Sequence, residues 1–163
     1  MSNVLNKINP PAKGSRDNVV DFGGTVNITG DVNIGTDKTA SAIEFVATAG
    51  AANVCEVAIS VKDASGNLIP AVQNLKLWLS DAATGAEQTG TTASGTVTVK
   101  AASGYVLDTL TAKKSLIVQT LATGVFTLEI TDTAKTGFYV CVENPFTGQT
   151  VVSDQLVAGD YGA

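Results

Sequence analysis

Histidine is absent from this chain, so any chemistry it performs must come from carboxylates, hydroxyls and thiols. The usual proton shuttle near neutral pH and the commonest metal ligand are both missing. Glu56, Glu129 and Glu143 fall on stretches that read as strands, and two such carboxylates at a suitable separation could serve a glycosidase. Glu56 and Glu129, however, alternate out of phase with the apolar residues around them, which is where solvated charges go. Glu143 shares parity with Cys141 and ends its strand beside a turn. Asp31, Asp37, Asp63 and Asp81 stand among turn residues, where capping of the backbone competes with calcium binding; the acidic spacing is too sparse for an oxygen-ligand loop. Serine and threonine are abundant, but no histidine and no lysine at a motif spacing activates them. Gly23, Gly24 and Gly30 precede β-branched residues rather than a helix, which makes them turns and not a phosphate cradle. The sequence therefore predicts no catalytic residue, no metal site and no cofactor, and the chain reads as a non-enzyme.

Two cysteines remain, Cys55 and Cys141. They are too far apart in sequence for a local redox or zinc motif, so they are either buried small hydrophobes or partners facing one another across a sandwich. The first eleven residues lack an apolar core of signal-peptide length, and reduced thiols in a protein made in the cytoplasm are the expectation.

A net charge of -5 argues against nucleic acid, because phosphate binding depends on clustered Lys and Arg. The one adjacent basic pair, Lys113 and Lys114, reads as part of a solvated loop. No run of about 18 apolar residues is present to cross a membrane. With 44% apolar residues and only 15% charged ones, the chain can bury a core, and its surface must be filled largely by small polar residues.

The elements that position these groups follow from period-two alternation. In residues 55–62, Cys55, Val57, Ile59 and Val61 share one face and Glu56, Ala58, Ser60 and Lys62 the other. Residues 74–80 place Leu75, Leu77 and Leu79 inward and Lys76, Trp78 and Ser80 outward, which leaves the single tryptophan exposed or at an interface. Further strands are expected at 96–100, 105–111, 115–120, 125–131, 137–143 and 150–157, with Phe126, Leu128 and Ile130 on one inward face. Seven or eight short strands with regular turn signals and no amphipathic helix predict an all-β sandwich.

The first fifty residues differ. Residues 1–18 carry Pro10, Pro11, Lys7, Lys13 and Arg16 with little apolar content and read as an extended arm. Val26 and Ile28 are echoed six residues later by Val32 and Ile34, the mark of two short β-rungs that need a neighbouring surface. The expected division is an arm with rungs over 1–50, used for attachment or oligomerisation, and a sandwich over 51–163. Residues 36–50 read as a linker leading into a first strand. Val26, Ile28, Val32, Ile34 and Trp78 are the candidate interface residues, and Phe146 and Tyr161 are further candidate contact aromatics.

Residues 132–141, with Tyr139 two positions before Cys141, resemble the entry to the F strand of immunoglobulin-like domains. That resemblance implies an Ig-like β-sandwich in which Cys55 on a B-like strand faces Cys141. Residues 61–71 look like the start of bacterial Ig-like repeats in adhesins and phage proteins. The segment 53–162 as a whole is similar to small virion proteins of tailed bacteriophages, of the head-decoration or head-fibre kind. The resemblance implies a structural role on the outer capsid surface in the virion, with the major capsid protein as partner and homo-oligomers, a trimer being the simplest for threefold sites. The alternative it leaves is a receptor- or carbohydrate-binding module of a tail fibre or adhesin.

Overall fold

The computed structural model describes residues 42–163. Val26, Ile28, Val32 and Ile34 lie outside the described residues. The chain runs through β1 (Ala42–Ala49), β2 (Val54–Lys62), β3 (Asn74–Ser80), β4 (Val97–Val99), β5 (Gly104–Thr111), β6 (Ser115–Thr120), β7 (Val125–Thr131), β8 (Tyr139–Glu143) and β9 (Thr150–Val152), and then a 3₁₀ turn at Ala158–Asp160. All named pairings are antiparallel. One sheet has the order β1-β2-β7-β4 and the other β5-β6-β3-β8-β9.

The alternation that defines the strands also fixes their register, because a one-residue slip would turn each apolar set to solvent. Cys55, Val57 and Ile59 on β2 stand opposite Ile130, Leu128 and Phe126 on β7. Leu77 on β3 is flanked by Leu116 on β6 and Val142 on β8. These side chains interdigitate between the sheets as a single core, with Phe126, Ile59, Leu77 and Leu128 fully buried. Each such Leu, Ile or Phe contributes about 1.5–3 kcal/mol of burial.

The first sheet has the spatial order of the A-B-E-D strands of an Ig-like sandwich, and β3-β8-β9 has that of C-F-G. One departure is topological. The hairpin β5-β6 lies beside β3 but enters the chain after β4, the D-like strand, rather than before it.

Two sequence expectations about extent are corrected. Residues 42–49 are a full strand paired along its length with β2, from Ala42 opposite Lys62 to Ala49 opposite Cys55. The sandwich therefore begins before the boundary set at residue 50, because Ile43 is buried and Phe45 and Ala47 pack against the core. At the other end the ladder of β9 stops at Val152. Beyond it the chain is held by single bonds, such as Leu156 N–H to the Phe138 carbonyl at 2.9 Å.

The loop between β7 and β8 is organised by Asp132, which is 1% exposed. Its Oδ1 accepts the Ser94 N–H at 3.0 Å, and its Oδ2 accepts the Thr136 N–H at 2.9 Å. Burial opposes ionisation of this carboxyl, but the amide and hydroxyl donors of Thr136 and Ser94 outweigh it and hold the group down to about 2. Tyr161 completes the corner. It is buried at 3% exposure, and its hydroxyl donates to the Thr136 carbonyl at 2.7 Å. The expectation that Tyr161 is an exposed contact aromatic is thus corrected: its phenol ties the chain end to the β7-β8 loop, and burial raises its hydroxyl above the ordinary range.

Candidate interaction surface

The two cysteines do not meet. Cys55 points inward from β2 into the core, where burial, with Asp160 and Glu56 nearby, pushes its thiol up to about 12. On β8 the neighbours Val140 and Val142 take the inward positions, so Cys141 faces the outer side of the five-stranded sheet, across from Trp78. Both thiols are free and buried. The disulfide implied by the Ig resemblance is corrected by this parity, and the buried-thiol reading describes each cysteine separately. Cys141 is buried because the loop after β3 folds back over it. Gly85 sits there at φ +66, and a Cβ at that position would come within 2.9 Å of the Cys141 Sγ. Burial pushes this second thiol up to about 11.

The same loop seats Trp78. Its indole Nε1–H donates to the Gly85 carbonyl at 3.0 Å, which fixes the half-buried ring on the outer face. The Lys76 ammonium lies 5.7 Å from the ring centroid and 3.7 Å from a carboxylate oxygen of Glu143. Two shallow clefts of about 200 Å³ adjoin Lys76: one is lined by Trp78, Ala86 and Gln88, the other by Asn74, Ile117, Glu143 and Pro145. Gln119 Nε2–H donates to Asn74 Oδ1 at 3.0 Å and orients that amide beside the second cleft. The loop itself is held from below by Asp81, which accepts from the Thr89 hydroxyl at 2.5 Å and the Gly90 N–H at 2.8 Å. The Thr89 hydroxyl holds the Asp81 carboxyl below its usual range.

The remaining charged candidates are engaged structurally. Glu56 and Glu129 stand directly opposite one another on the outer face of the first sheet, and the Lys100 ammonium meets Glu56 at 2.5 Å. Glu143 is on the outer face of the other sheet, so the structure does not bring the three carboxylates together. Asp63 caps its turn by accepting from the Ser65 and Asn67 N–H groups, each at 2.9 Å. Lys113 and Lys114 reach the carbonyls of Ala93, Ser94, Thr89 and Gly90 and pin the loop between β3 and β4 to the β5-β6 hairpin. Asp31 and Asp37 lie outside the described residues. Among the described residues, no cluster of three or more His, Cys, Asp or Glu could hold a metal ion, and no helix is long and apolar enough to cross a membrane.

The feature that sequence reasoning missed is β5. Among the described residues it is an edge strand with neighbour β6 on one side only, and seven of its eight residues are exposed. Tyr105 is 61%, Val106 38%, Leu107 48% and Leu110 46% exposed. These four are among the nine large hydrophobics exposed in the described residues, so close to half of that surface is concentrated in one short strand. Its register against β6 shifts twice, and the residues left out of the pairing are Leu107 and Leu110. Edge strands are ordinarily blunted by charge, and the one charge here is Asp108. A mixed-parity apolar run was legible in residues 105–110; that both its faces stay uncovered was not.

No protein-family model, curated protein or solved structure matches this chain.

Proposed function

We propose that the chain is a structural virion protein that decorates the outer surface of a phage capsid, attached through its N-terminal region with the Ig-like sandwich projecting outward. It acts by association, with the major capsid protein as partner and further copies of itself alongside, gathered as trimers at threefold sites. The observation that carries this reading is the apolar edge strand β5, an association surface on a domain whose ionisable groups at Asp81, Lys100 and Asp132 are committed to holding loops and strands. The virion setting is taken from the resemblance read in the sequence of residues 53–162. An arm that orders on a capsid gives up conformational entropy, and repeated attachment across identical subunits offsets it. Mixing the purified chain with capsids that lack it, then sedimenting them, tests the proposal. The full chain co-sediments, and a chain lacking residues 1–41 stays in the supernatant with its sandwich folded. Equal co-sedimentation of both chains contradicts attachment through the N-terminal region.

A second reading, a carbohydrate- or receptor-binding module, is favoured by the fixed indole of Trp78 beside the Lys76, Asn74 and Glu143 polar groups. An immobilised aromatic ring flanked by oriented donors and acceptors suits the apolar face and hydroxyls of a sugar. Glycan-array binding that Trp78→Ala abolishes would favour this reading over decoration.

A further inference from the structure

We infer that β5 is the contact between two copies of this chain, apposed antiparallel about a two-fold axis and packed through side chains rather than through a continuous backbone ladder. The inference rests on the reading of β5 as an association surface and names its occupant. Two observations select a second copy, and a third sets how strong the contact is.

The first is the break in register. An added peptide strand gains most of its affinity from an unbroken row of main-chain hydrogen bonds. β5 is irregular at both Leu107 and Leu110, so such a row cannot run along it, and what the irregularities present outward is leucine.

The second is self-complementarity. An axis passing between Asp108 and Thr109 sets Leu107 of each copy opposite Leu110 of the other and places Asp108 against Thr109, not against a second carboxylate. One register therefore joins all four leucines and leaves no like-charge pair directly opposed.

The third is area. Tyr105, Val106, Leu107 and Leu110 together offer about 400 Å² of accessible surface per copy, or roughly 800 Å² for the pair, short of the roughly 1,200 Å² at which stable specific interfaces begin. A contact of that size is weak between free molecules. It becomes effective between copies already held side by side on a common surface, where the effective concentration is on the order of millimolar.

Sedimentation of the full chain over a range of concentrations tests the inference. The weight-average mass is expected to double reversibly from its dilute limit, whatever oligomer that limit represents. L107E and L110K, each at an exposed position, should weaken the doubling at least tenfold with unchanged circular dichroism and melting temperature. The double variant L107E/L110K, in which each introduced acid faces an introduced base across the axis, should restore it. Absence of doubling in the parent chain, doubling that survives both single variants, or failure of the double variant to recover would overturn the inference. Capsid binding separates this failure from failure of the broader reading. A chain that does not self-associate but loses capsid retention on L107E has β5 facing another partner. A chain indifferent to L107E in both assays has no association surface there.

Discussion

Asp132→Asn replaces a buried carboxylate by an amide of nearly the same shape and tests how the β7-β8 loop is held. The variant keeps an acceptor for the Ser94 N–H but puts an NH₂ group where Oδ2 now accepts the Thr136 N–H. Two losses follow. The carboxyl of the folded chain is held down to about 2 against an ordinary 3.8. At about 1.4 kcal/mol per unit, its ionisation favours folding by about 2 kcal/mol near neutral pH. The Thr136 N–H, left facing a donor, costs a further 1 kcal/mol or so. The total is about 3 kcal/mol, read from urea unfolding followed by the fluorescence of Trp78, the single tryptophan. The pH dependence separates the two parts. Because the folded value lies below the unfolded one, the charge contribution is fully present above about pH 5 and fades as pH falls from about 4 towards 2. The gap between parent and variant should therefore narrow from about 3 to about 1 kcal/mol between pH 7 and pH 2. A gap that is the same at both pH values, or a variant as stable as the parent, refutes the argument.

Gly124→Ala should destabilise the sandwich by more than about 3 kcal/mol in the same unfolding assay, because residue 124 has φ +76 and a Cβ there would lie 2.1 Å from the Ile69 carbonyl oxygen. Both cysteines should resist a thiol reagent at pH 8 in the folded chain and react fully in urea, with no mass change on reduction, since their thiols are buried and pushed up to about 12 and about 11. Rapid labelling of either, or a 2 Da gain on reduction, would place them differently. Tyr161→Phe should cost about 1–2 kcal/mol by leaving the Thr136 carbonyl without its hydroxyl donor, whereas Phe146→Ala, at an exposed position, should leave the melting temperature nearly unchanged.

How much of this was readable from residues alone varies with how cleanly each strand alternates. β3 and β7 fall at the expected residues because one parity is apolar and the other mostly polar, so the buried face and the strand ends are both marked, while β6 is marked by the polar residues that bound its apolar run Leu116-Ile117-Val118. β1 was read as linker because Phe45 and Val46 are adjacent and alanines fill much of the rest, so no parity dominates. In β8 the run Val140-Cys141-Val142 is apolar at every position. Nothing local says which face Cys141 takes, and the resemblance to an F strand assigned it to the core. Its true cover is the loop carrying Gly85, a contact between segments more than fifty residues apart. Tyr161 fails for the same reason, since its partner is the Thr136 carbonyl. The outward position of Trp78 followed from the alternation of β3, but the clefts beside it depend on β6 and β8 as neighbours and could not be read from β3 alone.

The measurement that bears most directly on the proposed role is imaging of capsids lacking this protein after incubation with the purified full chain. Ordered density for the sandwich on the outer surface, repeated at equivalent sites and lost when residues 1–41 are removed, is the expected result. Bare capsids at saturating protein, or density that persists without those residues, would contradict it.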